Sequence, residues 1–273
     1  MTEMREMPET QETAETIDAF HRGGFHLVQP KNGGHRAGMD AMLLASLVAS
    51  GKDGMRVADL GAGAGAAGLA VANRLALAQV TLVERSARMA QFARRTLDLA
   101  DNAHLAPRAT VIEADVTLRG KARVEAGLPD DYFDHVIMNP PFNDERDRKT
   151  PDALKAEAHA MTEGLFDGWL RTANAILVPG GQLSLIARPQ SVADIIAACG
   201  RRFGGIELTA IHPRPAEDAI RLLVTAIKGS RARLCWRSPL FMHGEDGHAF
   251  TPQVDDLNNG RSAYRRSRPV SSR

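Results

Sequence analysis

FDHVIMNPPF, residues 133–142, decides the reading of this chain. Val136, Ile137 and Met138 continue a short apolar run that fits a strand buried on both faces, and Pro140 and Pro141 then make a further ladder impossible. The strand ends at Asn139. That places the Asn139 amide, the Pro140 and Pro141 carbonyls and the Phe142 ring at a carboxyl-end sheet edge, where open α/β folds bind their ligands.

Working outward, residues 55–60 read as a first strand followed by the glycine loop Gly61, Gly63, Gly65 and an alanine-rich helix to about residue 75. Residues 80–84 form a second strand, Ser86 caps the next helix, and residues 110–114 form a third strand ended by Asp115. Beyond the proline pair lie a charged loop and a helix from about residue 154, which Pro179-Gly180-Gly181 stops. Strands at 182–187, 207–211 and 221–228 complete the alternation, which predicts a doubly wound, largely parallel sheet. A helix over about 40–50, with Asp40 as its cap, leads into it. Residues 229–252 suggest a small hairpin extension around Gly244-Glu245-Asp246-Gly247, whose flanking His243 and His248 are read as turn residues.

The chain has 273 residues and 44% hydrophobic composition, enough for one large domain with appendages. The start, with glutamates and no apolar stretch, resembles neither a signal peptide nor a membrane span, so a cytoplasmic protein is expected. Cys199 and Cys235 have no ligand spacing, which argues against a disulfide framework or structural metal. Residues 1–22 are expected to be a disordered acidic tail, 23–252 the domain, and 253–273 a flexible basic tail. Arg261, Arg265, Arg266, Arg268 and Arg273 load that last segment.

The glycine loop satisfies two patterns. Gly61, Gly63 and Ala66 match the dinucleotide fingerprint, while Asp59 with Gly61, Gly63 and Gly65 gives DxGxGxG, which resembles S-adenosylmethionine-binding methyltransferases. Asp59 favours the second, because a carboxylate there can bind a methionine ammonium and would repel a pyrophosphate. Glu84 ends the second strand where an acid chelates ribose hydroxyls, and Asp115 ends the third where an adenine amino group can be accepted. An exocyclic amino nitrogen is a poor nucleophile, its lone pair being delocalised into the ring. A catalyst must hold its N–H bonds, and the Asn139 oxygen and Pro140 carbonyl are two acceptors suited to that. Phe142 offers a face for stacking a planar base.

Asp59 to Gly65, Glu84, Asp115 and Asn139-Pro140-Pro141-Phe142 together resemble the class I amino-methyltransferase motif set. Residues 35–44 and 221–229 are similar to segments of the bacterial tRNA (adenine-N6) methyltransferases acting beside the anticodon of a valine tRNA. Phe142 stands where that family commonly has tyrosine. The resemblance implies a seven-stranded Rossmann-like sheet in the order 3-2-1-4-5-7-6 with strand seven antiparallel, S-adenosylmethionine as cofactor, and Asp40 near its methionine end. It also implies RNA, a tRNA, as partner. Lys31, Arg36, Arg146, Arg148, Lys149 and the terminal arginines are candidate phosphate contacts. The competing readings are a protein glutamine methyltransferase, since a primary amide poses the same nitrogen problem, and a non-catalytic RNA-binding factor that keeps the fold.

Overall fold

Strand β3 (Arg56–Leu60) shows how the pleat sorts side chains: Val57 packs into one hydrophobic cluster and Ala58 and Leu60 into another, on opposite faces of a central sheet. The computed structural model describes residues 15–31, 36–141 and 152–267, with side chains from 164 onward in the helix that begins at Asp152. The first face is covered by α1 (Met39–Ser46), α2 (Ala66–Arg74) and α3 (Ala87–Leu97), the second by α5 (Asp152–Ile176) and α6 (Val192–Cys199). A short α4 (Gly120–Glu125) lies between β5 (Ala109–Glu113) and β6 (Phe133–Met138).

The other principal strands are β4 (Gln79–Glu84), β7 (Leu177–Ala187), β8 (Phe203–His212) and β9 (Arg221–Lys228). They run β5-β4-β3-β6-β7-β9-β8, which in order of appearance is 3-2-1-4-5-7-6, and β9 is antiparallel to both neighbours. That is the order implied by the resemblance. Two short strands, β10 (Cys235–Trp236) and β11 (Leu240–Phe241), add to the outer edge of β8 in parallel and bring the sheet to nine strands. The apolar pieces at 234–242 therefore extend the sheet and do not pair with each other; an antiparallel bridge between His243 and Phe250 closes the turn that follows them.

Several boundaries differ from the sequence expectation. The glycine-proline stretch 179–181 does not separate helix from strand: α5 passes directly into β7, and Pro179-Gly180-Gly181 sits in a register shift between Phe133↔Leu177 and His135↔Gln182. Helix α1 starts at Met39 with Gly38 at its cap position, so Asp40 lies in the first turn, where an acid complements the helix dipole. It ends at Ser46, and Arg74 of α2 donates to the freed carbonyls of Ala45 and Val48.

The acidic start is not wholly a tail. β1 (Glu15–Phe20) pairs antiparallel with β2 (Phe25–Pro30) along its whole length. Glu15 pairs with Arg95, and Asp18 accepts from Arg36 at 2.7 Å and Gln29 at 2.8 Å, so its acids are neutralised by distant partners. Arg36 is consequently committed to the fold. The expectation for residues 1–14 lies outside the described residues.

The basic end is likewise built in. α7 (Pro252–Asn258) is capped by Thr251, and Arg261 pairs with Asp255 and Asp256. Beyond it, Tyr264 N–H donates to Ser46 O at 2.9 Å, and Arg266 donates to Thr225 Oγ1 at 2.6 Å and to Gly205 O. Ser267 donates from N and Oγ to Glu207, each at 3.1 Å, and Glu207 is 3% exposed. Two of the five terminal arginines are thus committed to partners within the chain, Arg261 at the surface and Arg266 against buried Glu207. Arg268 and Arg273 lie outside the described residues, as do Arg146, Arg148 and Lys149.

Candidate active site

Registers Leu60↔Val83, Glu84↔Glu113 and Leu60↔Met138 end four adjacent parallel strands at one level. Gly61, Glu84, Asp115 and Asn139 follow those ends, so the carboxyl edge of β6-β3-β4-β5 brings them together.

The glycine loop takes its shape from left-handed backbone: φ is +72° at Gly61, +57° at Gly63 and +95° at Gly65. A Cβ on Gly61 would lie 2.5 Å from the Trp169 ring and one on Gly65 2.8 Å from Leu82, whereas one on Gly63 would meet only Met89, at 3.8 Å. The outer two glycines are thus packed from beneath, and the middle one has room for a Cβ in ordinary contact with Met89. That is a cradle. Its amides are already used: Gly61 and Ala62 donate to Val83 O at 2.8 and 2.9 Å, Gly65 to Ala62 O at 2.8 Å, and Gly63 to Glu84 Oε2 at 2.8 Å. Trp169, 7% exposed on α5, packs beneath Gly61, which makes it a support of the loop. Gly61→Ala should cost about 1–3 kcal/mol in strain and displace Trp169, and calorimetric melting of the variant checks this.

Glu84 also accepts from Ser86 N–H at 2.8 Å through its second oxygen. An ionised carboxylate has about four acceptor positions, so capacity for two hydroxyls remains. Asp115 accepts from the Thr117 N–H and hydroxyl, both at 2.7 Å, with Arg85 3.7 Å away. Partial burial works to raise its pKa, but the Thr117 bonds and Arg85 outweigh that and hold it below the ordinary value.

Asp59 is placed differently from the sequence expectation of a direct ammonium contact. It shares the α2 side of β3, is 2% exposed, and accepts from Gly68 N–H at 2.8 Å. Gly68 permits this approach: a Cβ there would sit 2.3 Å from Leu82 and 3.1 Å from the Asp59 carboxylate. Asp59 therefore holds α2 behind the loop. Burial pushes its pKa up to about 7, partly offset by the Gly68 bond and reinforced by Glu84. The folded protein then retains a proton that the unfolded chain releases from about pH 4, so this group makes stability fall as pH rises toward 7. Asp59→Asn should remove that slope, about 1.4 kcal/mol per pH unit at most. Denaturant titrations of both proteins between pH 5 and 8 test it.

Asn139 carries the unusual feature. Its Oδ1 is buried, and no described residue donates to it. Pro140 is buried and Pro141 exposed beside it, while Phe142 lies outside the described residues. Asp40 reaches the same edge two strands away, accepting from Arg221 Nε at 2.7 Å where β9 begins next to the end of β7. Arg221 was not among the expected site residues. Among the described residues no group of histidine, cysteine, aspartate and glutamate could hold a metal ion, and no helix is long and apolar enough to cross a membrane.

The sequence pattern of the methyltransferase small domain matches residues 38–212, and the chain belongs to that family. The ribosomal RNA large subunit methyltransferase G of Ectopseudomonas mendocina is 32% identical over 164 residues, 59% of this chain and 36% of that protein. The tRNA1(Val) (adenine(37)-N6)-methyltransferase of Glaesserella parasuis is 29% identical over 150 residues, 54% of this chain and 57% of that one. The chain thus spans between about a third and three-fifths of the length of these curated relatives. A crystal structure of a predicted O-methyltransferase from Agrobacterium tumefaciens shares 65% identity and a TM-score of 0.74, covering 84% of this chain and 99% of that one.

Proposed function

We propose that this methyltransferase acts on an exocyclic amino nitrogen, adenine N6 of a tRNA, with S-adenosylmethionine as donor. The observation that carries the reading is the orphaned Asn139 Oδ1. A buried acceptor without a donor costs about 1–3 kcal/mol, and such a cost at the carboxyl end of a strand is relieved when a ligand N–H arrives there. The cradle over Gly63, the spare acceptor positions of Glu84 and the ionised Asp115 fit a nucleoside with an amino acid attached. Bound in this cradle, S-adenosylmethionine supplies a methyl group on a positively charged sulfur.

The chain's own part is orientation. Asn139 Oδ1 accepts one N–H of the target amine and the Pro140 carbonyl the other, so the nitrogen lone pair is turned out of the ring plane toward the methyl. As the N–C bond forms and the methyl–sulfur bond of the donor breaks, leaving its electron pair on a neutral thioether sulfur, the nitrogen becomes positive and both acceptors gain in strength, which is preferential stabilisation of the transition state. The surplus proton leaves to solvent. Phe142 stacks the base, Asp115 accepts from the cofactor adenine, Glu84 holds the ribose hydroxyls, and Asp40 lies toward the methionine end. Asp59 supports the loop from behind.

The two RNA methyltransferases among the relatives support RNA as substrate. The test is transfer of tritiated methyl to an unmodified tRNA pool, followed by mass spectrometry of the nucleosides. N6-methyladenosine is the expected product. Label in peptide glutamine would replace RNA with protein, and label on a hydroxyl, the chemistry named for the Agrobacterium relative, would displace the amino reading.

A further inference from the structure

Residues 229–241 form the outer edge of the sheet beside β8, and they contain no acid; none occurs between Asp218 and Glu245. Gly229 N–H donates to Arg202 O and Gly205 N–H to Ala232 O, each at 2.8 Å, which sets Arg201, Arg231 and Arg233 around the amino end of β8. All three are exposed, and among the described residues none has an ion-pair partner. Higher up, Trp236 lies opposite Leu208 with 59% of its surface exposed. The segment then climbs to Phe241, opposite His212 at the carboxyl edge. It follows β8, whose ten residues span about 30 Å, from a cationic foot past an open aromatic ring to the edge that holds Asn139.

We propose that this edge is a docking track for the RNA whose base enters the Asn139 site, an inference that rests on the RNA reading above. Arginines without counter-charges neutralise phosphates, and an exposed indole stacks an unpaired base without regard to sequence. A protein partner fits less well, since it would have to bring a carboxylate to each of these three arginines, whereas a nucleic-acid backbone carries a phosphate at every nucleotide. Strand addition fits less well too, because β10 has only two residues. Of the terminal arginines, Arg261 and Arg266 are committed to carboxylates and carbonyls and do not serve as the main contact.

The probe is a fluorescein-labelled, unmodified valine tRNA transcript titrated with the full chain. Trp236→Ala should weaken binding about tenfold. Arg231→Gln with Arg233→Gln should weaken it and flatten the logarithmic salt dependence by about 1–2 units. Affinity for S-adenosylhomocysteine and melting temperature should not change in either variant. A combined triple variant that binds the transcript like wild type overturns the track, as does wild-type protein that fails to bind it. Light scattering that shows a Trp236-dependent dimer also overturns it. Asn139→Ala separates the two readings: it should bind the transcript normally and transfer methyl roughly 10²–10³-fold more slowly. If N6-methyladenosine forms while the triple variant binds normally, the track alone falls; if no RNA is methylated, the functional reading falls with it.

Discussion

A chain cut after Gly260 will melt well below the intact protein, by roughly 6–20 °C. The segment it loses contributes Arg266 and Ser267 to Glu207, which is 3% exposed. Removing one side of a buried ion pair costs about 3–5 kcal/mol because the remaining charge is left unmatched, and each kcal/mol moves the melting point of a chain this size by about 2–4 °C. Arg237 softens the loss, lying 3.6 Å from Glu207 with its guanidinium 4.5 Å above the Tyr264 ring that also disappears. Arg266→Met isolates the charge from the backbone contacts. Combining it with Glu207→Gln should recover part of the stability, since a neutral pair avoids the desolvation of an unmatched carboxylate. Calorimetry on the four proteins gives the cycle. A shift under about 3 °C for the truncated chain would show that Glu207 finds water or another partner.

The same segment marks where sequence reasoning ends. A run of arginines with no acid after residue 260 reads as a solvated tail, because the carboxylate that fixes Arg266 is 59 positions away on β8. The acidic start misleads for the same reason: ETIDAF alternates as a strand should, but what holds Glu15 is Arg95, 80 positions on. Short-range signals fared better. The buried strands at 56–60 and 133–138 are legible from their apolar runs, the loop from its glycines, and the Ser86 cap from its position, confirmed by a bond from Met89 N–H at 3.3 Å. The order of the strands came from resemblance and not from periodicity, which carries no information about neighbours.

Within the site, residue type and strand position located the acids, and side-chain direction was the part hidden. Asp59 and Glu84 stand at neighbouring strand ends, yet the pleat turns Asp59 toward α2 while Glu84 takes a loop amide. Period-two alternation assigns Asp59 to the side of Val57, and Val57 packs with α2. That much was available. What no spacing shows is that Gly68 leaves room for the carboxyl, or that Trp169, more than 100 residues from Gly61, occupies the space beneath it.

Asn139→Ala should reduce turnover by roughly 10²–10³-fold, the loss seen when one preorganised polar partner is removed at a reacting centre. The unpartnered Oδ1 sharpens this expectation. An acceptor that already had a donor would have to exchange it for the substrate, and its removal would cost the fold as well. Here the oxygen has no described donor, so deleting it relieves a buried acceptor: the variant should melt at or above the wild-type temperature while losing activity. Affinity for S-adenosylhomocysteine should barely change, because the contact belongs to the acceptor half of the site. Asn139→Asp divides the roles further. Burial raises the pKa of a carboxyl introduced there above about 4, so at low pH it carries a proton and presents a donor on one oxygen. As pH rises it ionises and accepts from both N–H bonds. Its activity should therefore climb with pH from a level near that of alanine, relative to a wild type with no ionisable group at this position. An alanine variant that transfers methyl at the wild-type rate, or an aspartate variant with a flat ratio to wild type from pH 5 to 9, would remove Asn139 from the reaction.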